Sequence, residues 1–172
     1  MRVETQLPGS GANLVNWDAM RATPDQQDPD WPRYPETVLE FGTDPAVEID
    51  LREVPSVNAI AALGAAGLDE PFAIMTAFDP RGENLSAAEN EKRRQELEQR
   101  LRSSGYKFAQ VDCCSPDRSH CECSVAVIMT QEQALDLARE LEQVAIFWFD
   151  GRHFWILGAL AETDPLMLPR NS

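Results

Sequence analysis

The stretch Val144-Ala145-Ile146-Phe147-Trp148-Phe149-Asp150-Gly151-Arg152-His153-Phe154-Trp155-Ile156-Leu157 decides the fold. Two runs of β-branched and aromatic residues flank Asp150-Gly151, a dipeptide suited to the tight turn of a β-hairpin. A two-residue turn there pairs Trp148 with His153 and Phe147 with Phe154. Both faces of such a hairpin are apolar, which puts it inside a sheet covered on both sides.

Outward from the hairpin, Phe72-Ala73-Ile74-Met75-Thr76-Ala77-Phe78 is a continuous apolar run, the pattern of a strand buried on both faces. Val38–Phe41 and Val47–Leu51 are short strands joined by a turn through Gly42–Pro45, and two further strands fall at about 106–112 and 121–128. Three helices are expected. Residues 56–67 start at an N-cap, Ser56, and stop at Gly67; residues 87–103 carry the capping box Ser86/Glu89 and stop at Gly105. Residues 131–142 turn Ala134, Leu137, Ala138 and Leu141 inward. The inward stripe of the 87–103 helix is Ala87, Asn90, Arg94, Leu97 and Leu101, apolar only in its C-terminal half. The expected architecture is α/β (or α+β), a mixed β-sheet flanked by about three helices and ending in a C-terminal hairpin.

The chain has 172 residues, enough for one core of ordinary size. With 15 Lys plus Arg against 29 Asp plus Glu, its formal charge is −14. That argues against nonspecific binding to nucleic acid or to anionic membranes, both of which need a dense cationic surface. No apolar run approaches a membrane span, and residues 1–20 lack the basic start and apolar stretch of a signal peptide, so a cytoplasmic protein is expected. Half of the negative charge lies in residues 1–50, which hold ten acidic side chains, three Arg and six Pro. Residues 1–35 read as an acidic, Pro-rich arm, extended or disordered, although Trp17, Trp31 and Tyr34 are of the kind that docks onto a domain or a partner. A single domain is expected over 36–160 and a tail over 161–172.

Cys113, Cys114, Cys121 and Cys123 crowd into eleven residues, too close to staple distant segments, and read as reduced thiols. Their spacing does not fit paired zinc knuckles; an irregular soft-metal site from Cys113, Cys114, His120, Cys121 and Cys123 is the weaker alternative. No motif implies a cofactor.

The segments Ile74-Met75-Thr76-Ala77-Phe78-Asp79-Pro80-Arg81-Gly82, Leu85-Ser86-Ala87-Ala88-Glu89-Asn90, Ser104-Gly105-Tyr106, Ser119-His120-Cys121-Glu122-Cys123-Ser124 and Ala145–Gly151 resemble, in this order, a bacterial domain of unknown function, DUF3293. The resemblance implies a shared fold and brings no activity with it. The cysteines and the acidic arm lie outside that pattern.

Three places carry polar residues where an apolar pattern is interrupted. In a strand, His120, Glu122 and Ser124 share one face and Cys121 and Cys123 the other. His120 is then a candidate acid/base and Glu122 its orienting partner; the structural alternative is that the two simply pair. The loop Asp79–Ser86 runs from a buried strand into a capped helix, where Arg81 and free helix N–H groups suit an anion, although Asp79-Pro80-x-Gly82 is also an ordinary turn. Asn90, one turn into that helix, either joins the same site or locks the loop to the sheet. The site expected from sequence is therefore Asp79, Arg81, Asn90, His120, Glu122 and Ser124, binding or transforming a small polar or anionic ligand. The alternative is an interaction module, an inhibitor, immunity or adaptor protein that engages a basic partner through the acidic arm.

Overall fold

The computed structural model describes residues 23–171. Eight strands form one sheet: β1 (Val38–Phe41), β2 (Val47–Asp50), β3 (Phe72–Thr76), β4 (Phe108–Cys114), β5 (Cys121–Val127), β6 (Ala145–Phe149), β7 (Phe154–Gly158) and β8 (Leu166–Leu168), in the order β2-β1-β4-β5-β3-β6-β7-β8. Where a mixed sheet was one expectation, every pairing is antiparallel, so the fold is α+β. The helices are α1 (Pro24–Gln27), α2 (Val57–Ala65), α3 (Ala87–Ser103) and α4 (Gln131–Glu140), joined by 3₁₀ turns at Trp31–Glu36 and Pro80–Gly82.

The continuous apolar run becomes β3, flanked on both edges by β5 and β6, with Phe72, Ala73, Ile74 and Met75 all buried. The sheet divides the core in two. On one face Ala73, Met75, Val125 and Val127 pack against Leu97 and Leu101 of α3 and Ala134, Leu137 and Ala138 of α4. On the other, Leu39, Phe41, Ile49, Phe72, Ile74 and Phe154 pack with Leu63 of α2. All three long helices start on the N-caps their sequences carry, at Ser56, Ser86 and Thr130.

The hairpin forms with its register moved by two residues. Phe149 pairs with Phe154 and Trp148 with Trp155, leaving a loop over 150–153 in place of a two-residue turn. The reason is Asp150, whose carboxylate accepts hydrogen bonds from the amides of Arg152 and His153, each at 2.7 Å, and from Trp155 Nε1 at 2.8 Å. A two-residue shift keeps every side chain on its intended face, so the core does not oppose it. On α3, Ala87 is exposed rather than inward, while Glu98 is buried and held by Arg94 Nη1 at 2.8 Å and Gln110 Nε2 at 2.8 Å.

Both ends of the described stretch take part in the fold. Of the arm expected over residues 1–35, the portion through residue 22, with Trp17, lies outside the described residues; from residue 23 the chain is folded onto the sheet. Trp31 and Tyr34 pack against the α2-side core, with Tyr34 tilted against Phe147 at 6.3 Å between centroids. The Asp-Pro spacing that reads as unstructured supplies turn chemistry here: Asp28 Oδ1 accepts the Asp30 amide at 2.8 Å and starts the 3₁₀ turn. Within the stretch read as a tail, Leu166–Leu168 adds β8 to β7.

Candidate functional site

The β4–β5 register sets the floor of the site. Cys113 stands opposite Glu122 and Val111 opposite Ser124, so Cys113, Glu122 and Ser124 share the α2-side face. Cys114 stands opposite Cys121 on the other face, with Cα atoms 4.1 Å apart, and the two form a disulfide. This corrects the reading of four reduced thiols. The single small loop that the cluster can close is the loop that it closes, and antiparallel pairing brings its two ends face to face. With Cys114 and Cys121 joined, the alternative five-residue metal set is not assembled, and no group of three His, Cys, Asp or Glu side chains is arranged to hold a metal among the described residues.

At the end of β3, Thr76 Oγ1 donates to the Cys123 carbonyl at 2.9 Å and accepts the Phe78 amide at 3.0 Å. The chain then turns through Asp79, whose φ of 45° lies in the left-handed region. Asn90 holds it there. Its Oδ1 accepts the Asp79 amide at 3.0 Å and its Nδ2 donates to Asp79 Oδ1 at 2.9 Å, an oxygen that also accepts the Leu85 amide at 2.9 Å. Asn90 thus stands behind Asp79, locking loop to helix.

Above this floor lies the N-terminal segment. Tyr34 donates its hydroxyl to Asp28 Oδ2. Gly82, at φ 71°, sits under that segment: a Cβ there would come within 3.3 Å of the Gln27 carbonyl and 3.5 Å of Asp28. Between floor, loop and roof lies a half-open cavity of about 230 Å³. Asp79, His120, Glu122 and Ser124, four of the six residues expected from sequence, line it. Asp28, Tyr34, Cys113, Gln143 and Phe147 are among the other residues of the wall, and sequence reasoning assigned none of these five to the site.

Arg81 does not reach the cavity. Its Nε donates to Glu142 Oε1 at 3.0 Å, its amide donates to the Glu142 carbonyl at 2.7 Å, and its side chain is 63% exposed. The start of α3 is likewise closed to an outside anion, because Glu89 Oε2 accepts the Ser86 amide at 2.9 Å and the Ser86 hydroxyl oxygen accepts the Glu89 amide at 3.2 Å. Ligand crevices at strand ends belong to parallel α/β sheets; in this antiparallel sheet the cavity exists because the N-terminal segment roofs it.

The electrostatics of the cavity are acidic. His120 Nε2 lies 3.3 Å from Glu122 Oε1, forming the simple pair that was the structural alternative, with His120 turned largely to solvent. Burial raises the Glu122 pKa, His120 opposes that shift, and the negative charges of Asp79 and Asp28 add to it. Burial and the hydrogen bond to Asp28 keep the Tyr34 phenol protonated well past its ordinary range. Burial pushes the Cys113 thiol up to about 12, with the Ser124 hydroxyl acting in the other direction. At neutral pH Cys113 is therefore an inert thiol rather than a nucleophile.

No curated protein and no solved structure matches the chain. Residues 75–146 match the family described as a protein of unknown function (DUF3293). That span contains the last two residues of β3, the Asp79 loop, α3, β4, β5 and α4, and with them every cavity residue named above except Asp28, Tyr34 and Phe147. From Met75 to Ile146, then, the chain is similar to the DUF3293 family, the likeness that its motifs suggest.

Proposed function

We propose that this domain binds a small polar ligand in the cavity between the N-terminal segment and the sheet, with Glu122 as the group that holds or exchanges a proton there. The observation that carries this reading is convergence. Side chains from the N-terminal segment, the β3–α3 loop and β5, far apart in sequence, line one half-open space of about 230 Å³. Cavities with a few convergent polar groups and a carboxyl group of displaced pKa are where ligands and acid–base chemistry are expected. Glu122 beside the protonated Tyr34 phenol has the chemistry of a general acid, whereas Cys113 does not have that of a nucleophile. The reading as a partner-binding arm has less support, because Trp31 and Tyr34, two of its three aromatic anchors, pack on the chain's own core.

The test is ligand-observed NMR on the full chain with a set of small amines, polyols, carboxylates and phosphate esters. The same set is applied to Ser124→Phe, which fills the cavity from its floor. Binding by wild type that is lost in Ser124→Phe supports the pocket. No binding by any member, or binding indifferent to the substitution, contradicts it.

A further inference from the structure

We propose that the ligand of this cavity is an organic cation, a primary ammonium or guanidinium group on a small apolar body; the proposal rests on the pocket reading above. Its first support is Gln143, which is only 8% exposed yet lines the cavity. Its Nε2 donates to the Phe78 carbonyl at 3.0 Å and lies 3.4 Å from the Leu141 carbonyl. Two carbonyl oxygens can face only the NH₂ side of an amide, so the orientation of this side chain is fixed by its partners. Its Oε1 is thereby turned away from both carbonyls, and among the described residues no hydrogen bond to it is formed. On a residue that lines the cavity, such an acceptor is open to a donor from outside the chain.

The remaining polar groups have the same polarity. The Ser124 hydroxyl gives its hydrogen to the Glu122 carbonyl at 3.3 Å, which leaves its lone pairs. Asp28 is filled by Tyr34 and the Asp30 amide, and Asp79 Oδ1 by Leu85 and Asn90, but both keep their negative charge near Glu122. Among the described residues, Glu122 itself has only the exposed His120 as a side-chain hydrogen-bond partner. The nearby guanidinium groups already have acidic partners: Arg81 is bound to Glu142, and Arg33, which lines the cavity, is 79% exposed and lies 3.8 Å from Asp30. An anion placed here would meet carboxylates and acceptor oxygens. An ammonium group would meet Gln143 Oε1, the Glu122 carboxylate and Ser124, with Ile74, Phe147 and the Tyr34 ring left for its apolar body.

The probes are three molecules of one shape, benzylamine, benzyl alcohol and benzoate, titrated at pH 7 into the full chain by NMR and calorimetry. Benzylamine is expected to bind at least about tenfold more tightly than the alcohol, the factor that one charge-assisted hydrogen bond supplies, and benzoate not at all. Gln143→Met removes the acceptor at similar volume, and Glu122→Gln removes the charge; each is expected to weaken benzylamine by about tenfold or more. The second variant leaves the Phe78 and Leu141 contacts untouched, so a folding defect in the first does not decide the matter. Equal or tighter binding of the alcohol or of benzoate overturns the cation proposal while leaving the pocket standing. Failure of all three here and of every ligand in the broader set overturns both.

Discussion

On the α3–α4 side of the sheet, Met75, Val125 and Val127 meet Leu97, Leu101, Ala134 and Ala138, all buried. On the other side the same two strands pass from Ile74 and Ala126 to Thr76, Ser124 and Glu122, and the packing opens into a cavity. The difference lies in what covers each face. α3 and α4 present apolar side chains at helical spacing and close continuously over the strands. The N-terminal segment is a Pro-containing 3₁₀ turn that covers its share of the sheet chiefly with Trp31 and Tyr34, so it roofs a space without filling it. Polar side chains persist on that face because the space beside them admits water or a ligand.

The largest blow to this comparison should come from the closed face. Leu101→Ala, at 1% exposure among α3, α4 and the sheet, is expected to cost about 2–5 kcal/mol in denaturant unfolding. A cost under about 1 kcal/mol would mean that this face is not the tightly packed one. Next is Asn90→Ala, which strips the Asp79 amide and carboxylate of their partner and should cost roughly 1–3 kcal/mol. The same variant should loosen the loop, read as faster amide exchange at Leu85; unchanged exchange there would deny Asn90 its locking role. Smallest is Arg81→Ala. Its ion pair with Glu142 is exposed, so the loss should be about 0–1 kcal/mol with no effect on ligand binding. Loss of binding in that variant would restore the anion-clamp role that its sequence position suggested.

How far the sequence was legible follows the same division. Regular periodicity and caps gave the hairpin strands, the β3 run and all three long helices, because burial on a defined face leaves a period of two or of 3.6. Strand alternation also groups His120, Glu122 and Ser124 on one face. The roof was not legible in this way. Asp28-Pro29-Asp30-Trp31-Pro32 has the composition of a disordered arm, and only its aromatic residues hinted at docking. Hydrogen-bonded turns of this kind carry no period, and neither does a long-range contact such as Tyr34 with Phe147. Gln143 was missed because a single amide in a helix-to-strand connection is ordinary until its two carbonyl partners are seen. Arg81 misled for the converse reason: charge and loop position cannot reveal that Glu142 captures it. The disulfide was concealed by register, since Cys114 and Cys121 become neighbours only once β4 and β5 pair.

The central claim is that the polar residues on the open face serve the cavity rather than the fold, and Glu122 tests it most directly. Burial raises its folded pKa above the ordinary value of 4.5, with His120 opposing and the charges of Asp79 and Asp28 adding. Between the unfolded and folded values the native state therefore binds more protons than the unfolded chain. Stability attributable to this group is present below about pH 4.5, falls as pH rises through the folded pKa, and stays lower above it. The decisive measurement is the unfolding of wild type and Glu122→Gln across pH 4 to 8, which lies over this window. The account predicts that the variant is at least as stable as wild type at pH 7, with any advantage shrinking as pH falls toward 4.5. A clear loss of stability in Glu122→Gln at pH 7 would contradict it and make the His120–Glu122 pair a lock of the fold.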